Sequence, residues 1–394
     1  MCTSWDLPTN SAVEAGKVAI GADLQIGDDV RIQCDELVIG NHVRIGVRTL
    51  ENFRSSAGVR IVARRLVLAD NVTIDRASLL KGGDIVIAAG TILCPGITIN
   101  VKRSLNIGRE GVIREGAELT GVELAIGNGC WLGPNSRIGG GSAFETPSRF
   151  TVGDSFHLGA GGFLNSARAI TIGNEVGLGS GTALYTHGAY TSMLAGAPVS
   201  FAPIIIEDRV WCPGATVNPG VTIGHDAVVA VGSVVTRNIP AGALAAGIPA
   251  KVIREGAFPR ILSPEERRAL MSNFLRGFAE VCSDQHEVDY QEQGDILMVK
   301  LDQQWRVAYH GPSADPRAAP MGLGSGVQDI IMADRLPTEG LPQTGSLWID
   351  LERKELHGPA TPVSERLRNQ LRRYGVRFGY SSVGGSYLRW PEGE

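Results

Sequence analysis

The sequence has 394 residues, 37 basic and 41 acidic side chains, and a formal net charge of −4. That balance excludes a nucleic-acid binder working through bulk positive charge, and 43% hydrophobic residues with a mean hydropathy of +0.03 exclude wholesale disorder. The averages hide 51 glycines and only 6% aromatics, a bias that points to internal repeats.

The opening stretch, MCTSWDLPTNSAVEAGK, has neither a basic nor an apolar leader segment, so no secretory signal is expected. No apolar run approaches the ~18 residues of a membrane span. The six cysteines (Cys2, Cys34, Cys94, Cys130, Cys212, Cys282) lie far apart, with no C-x-x-C pair. Buried thiols in a reducing cytoplasm fit this better than a disulfide framework or a structural zinc.

From residue 18 onward, apolar residues recur in sixes: Ile20, Ile26, Ile32; Ile87, Leu93, Ile99; Ile107, Ile113, Leu119; Ile126, Leu132, Ile138; Val152, Leu158, Leu164; Val217, Ile223, Val229, Val235. Six is neither a helical period nor a simple strand alternation. A flat-sided solenoid satisfies it. Each hexad supplies one short strand and one corner, three hexads close a triangular coil, and the apolar residue of each points inward. Gly40-Asn41, Gly153-Asp154 and Gly173-Asn174 are expected at corners, where turns need permissive dihedrals. The phase breaks at 49–60, at 140–150 and longest at 187–203, each read as a loop leaving a corner; long loops in a compact repeat are often functional. The interval from Ile206 to Val217 is one residue short of two hexads, which predicts a pinched coil.

Composition changes near residue 255: residues 1–254 hold 36 of the 51 glycines but 11 of the 23 aromatics. The reading is a lead at 1–17, a solenoid at 18–254, a linker at 255–264 and a small α+β domain at 265–394. Within the last, Ser263…Glu266 resembles a capping box ahead of an amphipathic helix presenting Leu270, Phe274, Phe278 and Val281. Strands are predicted at about 296–301, 305–309, 329–332 and 347–351, and a second, basic helix at about 361–375. WIDLERKEL contains D-x-E-x-K at Asp350, Glu352 and Lys354; alternating exposed charges on a strand explain it better than nuclease chemistry. The domain's role stays open between acceptor recognition, carrier-protein docking and oligomer contacts.

The run IIIEDRVWCPGATVNPGVTIGHDAVVAVGSVVTRNIPAGALAAGIPAKVIR (204–254) resembles the C-terminal signature of the hexapeptide-repeat acyltransferases, most closely the maltose, galactoside and xenobiotic acetyltransferase branch. TIGNEVGLGSGTALYTHGAY (171–190) resembles that branch's catalytic coil. The resemblance implies a left-handed parallel β-helix, where general crossover rules would favour the right hand. It further implies a soluble homotrimer that moves an acyl group from acetyl-CoA to a hydroxyl or amine, with the pantetheine arm between subunits, a histidine as base and no metal.

On that resemblance His187 is the expected general base, since neutral imidazole accepts a proton near neutral pH. Asn165, one coil earlier, is expected to bind acceptor or orient the histidine, with Glu175 a weaker candidate, and Trp211 to wall the acceptor pocket. Gly232, Ser233, Ala246 and Gly247 offer small side chains for close approach of pantetheine, and Lys251 and Arg254 are placed to meet the CoA phosphates. His42 and His225 read as exposed corner residues, and Arg60, Arg64 and Arg65 as a solvated edge. Against the acyltransferase stand three rivals. A γ-type carbonic anhydrase lacks its metal histidines here, and a nucleotidyltransferase fusion lacks a Gly-rich loop ahead of the repeats. The third is a non-catalytic trimeric scaffold presenting the C-terminal domain to a partner.

Overall fold

The computed structural model describes residues 7–47, 57–189, 191–302, 304–317, 327–337, 346–358 and 361–378. The chain divides into two compact units, 1–259 and 260–394. The first is a parallel β-solenoid. Its strands form two long sheets, one of them folded over two of the three faces and the other making the third face.

The hexad residues are the core. Ile87, Leu93, Ile107, Ile126, Leu132, Leu158, Leu164, Leu178, Leu184, Val217, Ile223, Val229 and Val235 stack in one continuous buried column. A fully buried Leu or Ile contributes about 1.5–3 kcal/mol, so the column outweighs any single surface interaction.

One strand per hexad holds only for the later coils. In the earlier ones, single strands at Val30–Ile39, Val59–Leu68, Leu79–Ile87, Thr98–Ile107 and Glu118–Ile126 run across two faces. The strand Glu118–Ile126 marks the changeover. Its first part pairs with Arg137–Ile138, its last with Arg149–Val152, and the excursion 139–148 lies between. The first strand starts at Ala12, six residues ahead of the start the hexad phase gives, because alternation rather than period six governs there. Arg149 and Phe150, like Val59 and Arg60, are strand residues, so the loops read at 140–150 and 49–60 end earlier than expected. Residues 48–56 lie outside the described residues.

Corners repeat as faithfully as strands. At the corner preceding the third face, His42 (φ 56°), Ser155 (φ 57°) and Glu175 (φ 56°) are the left-handed residues rather than the glycine two positions earlier, and Asn71 (φ 60°) and Arg209 (φ 57°) take the same place where no glycine precedes. Gly40, Gly153 and Gly173 answer a different need: a Cβ on Gly173 would stand 2.7 Å from the backbone nitrogen of Asp208 in the next coil. The Asn or Asp beside each glycine ties coils together. Asp154 Oδ1 accepts from Asn128 N at 2.7 Å, Asn174 Oδ1 from Asp154 N at 2.9 Å, and Asp208 Oδ1 from Asn174 N at 2.7 Å. The pinched coil is present: Cys212 and Val217 are both fully buried five residues apart, around a tight turn at Pro213-Gly214.

Cys34, Cys94, Cys130, Cys212 and Cys282 are buried, and burial pushes the Cys212 thiol up to about 12; Cys2 lies outside the described residues. No described helix is long and apolar enough to cross a membrane.

The second unit is a six-stranded mixed sheet in sequential strand order, from Val288–Gln293 to Glu355–His357. Helices α1 (Pro264–Cys282) and α2 (Pro362–Arg373) share one core with Leu297, Val299, Tyr309, Ile330 and Ile349 of the sheet. The capping box forms: Ser263 Oγ accepts from Glu266 N at 3.2 Å and Glu266 Oε2 from Ser263 N at 2.9 Å. The buried stripe of α1 is Phe274, Leu275, Phe278, Ala279 and Cys282, while Leu270 and Val281 are exposed, so the apolar face is turned from the one read in the sequence. Asp350 is fully buried and accepts from Leu336 N at 2.9 Å and Arg353 N at 2.7 Å. It is a structural carboxylate that closes a turn, not an exposed charge.

Candidate active site

The site grows from a chain excursion between two faces of the solenoid. Strand Ala183–Tyr185 lies on the first face, in register with Phe163–Asn165, and Ile204–Ile206 on the second. Instead of turning directly between them, the chain leaves at Thr186. The excursion is zipped at its base: His187–Gly188 pairs antiparallel with Ser200–Phe201, and His187 stands opposite Phe201. A short 3-10 turn at Met193–Ala195, capped by Ser192, forms the tip, with Leu194 almost wholly exposed.

Each partner around His187 is fixed by the coil below it. Thr186 Oγ1 donates to the Asn165 carbonyl at 2.7 Å and accepts from Arg168 N at 2.9 Å, pinning the exit point of the loop. Asn165 is buried, and its Oδ1 accepts from Ala167 N at 3.3 Å. The same Oδ1 lies 3.1 Å from His187 Nδ1. Because the Ala167 amide identifies that atom as the acceptor, Nδ1 of His187 is the donor. The proton on Nδ1 leaves the lone pair on Nε2. The imidazole stacks on Phe201 (centroids 5.5 Å, 17°), and the Arg168 guanidinium lies 4.7 Å from the centre of the same Phe201 ring. Sequence reasoning did not single out Phe201, Arg168 or Thr186. Only the length of the excursion hinted that something would pack beneath it.

Other candidates fall into separate groups. Glu175 is a corner residue ahead of the third face, and it is Asn165 that holds the imidazole. Trp211 is on the third face, in register with Gly177 and Val228. Toward the C-terminal end, Ser233 is buried and its Oγ accepts from Gly247 N at 3.1 Å, joining two of the small-residue positions. Gly232 is in the left-handed region (φ 73°) at an open corner. The chain then reverses, so that Ala246 pairs with Lys251 and Leu244 with Arg254 in an antiparallel hairpin, with both cations exposed. His42 and His225 are exposed, beside Asp23 and Asp226. Arg60, Arg64 and Arg65 are ion-paired with Asp29, Asp84 and Glu36 of neighbouring coils. Among the described residues, no group of three or more His, Cys, Asp or Glu is placed to hold a metal ion.

No family model matches the chain. A stretch of 79 residues, 19% of this chain, is 43% identical to the 2,3,4,5-tetrahydropyridine-2,6-dicarboxylate N-acetyltransferase of Staphylococcus aureus (strain JH9). Over that stretch the chain is similar to this acetyltransferase. The match spans 33% of the length of that relative. Among solved structures, the hexapeptide-repeat acetyltransferase of Vibrio cholerae O1 biovar eltor complexed with acetyl-CoA is 29% identical, over 33% of this chain and 69% of its own, with a TM-score of 0.29. A galactoside acetyltransferase in complex with coenzyme A is 28% identical, over 34% of this chain and 64% of its own, with a TM-score of 0.30. In the repeat domain of this chain, His187 and its Asn165 partner sit at the base of the excursion that leaves the solenoid at Thr186.

Proposed function

We propose that this chain is an acyl-CoA-dependent O- or N-acyltransferase, acting from acetyl-CoA on a hydroxyl- or amine-bearing acceptor such as a sugar, glycan or secondary metabolite. His187 is its general base. The observation that carries this reading is the contact between His187 Nδ1 and Asn165 Oδ1. An amide oxygen that already accepts from Ala167 N compels the tautomer in which Nε2 can take a proton.

The steps follow from that geometry. The acceptor hydroxyl or amine hydrogen-bonds to Nε2 of His187. As its heteroatom attacks the thioester carbonyl, Nε2 takes the proton and the imidazolium keeps its Nδ1–H bond to Asn165. Collapse of the tetrahedral adduct breaks the C–S bond, and the proton passes to the departing CoA thiolate, so product and free thiol leave together. Asn165 is thus a positioning residue. Phe201 holds the ring plane by stacking, and Arg168 backs Phe201.

Gly232, Ser233, Ala246 and Gly247 supply the close-approach surface for pantetheine, with Lys251 and Arg254 at the phosphates. Since His187 and Trp211 occupy different parts of one prism, the reading places a cleft between subunits of a homotrimer, where one subunit's histidine meets another's third face. Incubation of the purified protein with acetyl-CoA and a panel of glycans and amines, with free thiol as the readout, tests the proposal. Acceptor-dependent thiol release supports it; coenzyme A binding with no release for any acceptor favours the scaffold.

A further inference from the structure

Two excursions leave the same corner of the solenoid with one coil between them. Residues 139–148 join Arg137–Ile138 to Arg149–Val152, and residues 186–203 join Ala183–Tyr185 to Ile204–Ile206. In the intervening coil the short connection 166–169 runs directly from Phe163–Asn165 to Ile170–Ile172. At about 4.8 Å per strand, the roots of the two excursions stand about 9.6 Å apart, with that connection as the floor of the gap. Arg168 rises from the floor.

Its position is fixed from below. Arg168 N donates to Thr186 Oγ1 at 2.9 Å, and Nη1 donates to the Ala167 carbonyl at 2.8 Å. One wall presents Phe201, whose ring centre lies 4.7 Å from the guanidinium carbon and 5.5 Å from the centre of the His187 imidazole. The other wall presents Glu145, with Oε2 at 3.9 Å from Nη1 and a side chain 58% exposed. A contact that long, with one partner in water, holds little. The excursion from Thr186 to Pro203 contains no Asp, Glu, Lys or Arg, so it brings no countercharge. Among the described residues, Nε and Nη2 of Arg168 have no hydrogen-bond partner, and the side chain is 31% exposed. Nε and Nη2 form one edge of a planar fork, which matches the two oxygens of a carboxylate through parallel N–H bonds. Phe201 thus sets an anion reader and the candidate base on the same ring, at a separation that one compact molecule bridges.

We infer that Arg168 reads a carboxylate on the molecule that His187 deprotonates, so that the ligand is a hydroxy or amino acid and not a neutral alcohol or amine. Only the naming of that acid as the acyl acceptor rests on the acyltransferase reading. Saturation-transfer NMR on the full chain tests the carboxylate site without turnover, using the matched probes L-serine with ethanolamine and glucuronate with glucose. The expected result is that at least one acid binds about tenfold more tightly than its neutral counterpart. That preference is lost in Arg168→Gln and grows about threefold in Glu145→Gln, which removes the competing carboxylate. No transfer from either acid, equal binding within both pairs, or a preference that neither substitution changes overturns the inference. If Arg168→Gln does not fold, Glu145→Gln decides alone, and unchanged acid affinity in it overturns the inference. A loss of coenzyme A affinity in Arg168→Gln also overturns it, because the guanidinium would then serve a donor phosphate. Thiol release from acetyl-CoA with the neutral probes alone overturns it and leaves the acyltransferase reading standing. Acid binding that depends on Arg168, with no thiol release for any acceptor, supports the carboxylate site and refutes the acyltransferase reading.

Discussion

Asn165→Ala is the perturbation that separates positioning from bulk structure. In the parent, one oxygen serves two donors, His187 Nδ1 at 3.1 Å and Ala167 N at 3.3 Å, inside a buried pocket. Deleting it leaves the Ala167 amide without that acceptor, a cost of about 1–3 kcal/mol in stability. For catalysis, the imidazole loses the bond that selects its tautomer and fixes its rotation. A net hydrogen bond of about 0.5–1.5 kcal/mol, at about 1.4 kcal/mol per decade, translates into roughly 2–12-fold in turnover. The stacked Phe201 still holds the ring plane, which keeps the loss modest. The assay is thiol release at saturating acetyl-CoA, with the acyl-donor KM and coenzyme A affinity measured in parallel. Turnover should fall while both donor constants stay near parental, and Asn165→Asp, which keeps an acceptor toward Nδ1, should recover most of it. Parental turnover in Asn165→Ala would refute the tautomer argument, as would an equal loss in Asn165→Asp.

Leu184 is fully buried between Leu164 and Val217 of adjacent coils, so Leu184→Ala should cost about 2–5 kcal/mol in a denaturant titration; a loss under 1 kcal/mol would contradict the column as the main stabiliser. Replacing Lys251 and Arg254 together with Ala should weaken coenzyme A binding by about 1–3 kcal/mol in calorimetry with the fold intact, and unchanged affinity would remove them from the site. In the second unit, burial holds the His310 imidazole below the ordinary histidine range. A depressed folded-state value means that its contribution is present above the unfolded value of about 6.5 and lost as pH falls toward the folded one. The unit should therefore lose stability from about pH 6.5 downward, and His310→Leu should flatten that limb by calorimetry. Light scattering should give three times 41.8 kDa; a stable monomer at micromolar concentration would count against the subunit cleft.

The solenoid was legible because period six survives in the residues that cannot be exchanged for polar ones. Leu158, Leu164, Leu178 and Leu184 mark strand positions directly, since each must fill the column. Corner chemistry was less legible. An Asn or Asp beside a glycine reads as a turn, but the sequence does not say that its side chain bonds the adjacent coil while the following residue takes the positive φ. In the early coils, bending one strand over two faces leaves no signal, because alternation and period six place the same residues inward. His187 was singled out by its context, whereas Phe201 and Arg168 meet it only through a loop closure that no local pattern encodes. The α1 stripe was misplaced by one step because Leu275 and Cys282, not Leu270 and Val281, face the sheet.

The most direct measurement is the turnover of His187→Ala with acetyl-CoA and an acceptor identified by thiol release. A base that takes the acceptor proton contributes about 10²–10⁴-fold, and a half-exposed ring above the column contributes little to folding. The account predicts a loss of that size with oligomeric mass, melting temperature and coenzyme A affinity near parental. A folded, coenzyme A-binding His187→Ala protein that turns over at the parental rate would contradict it.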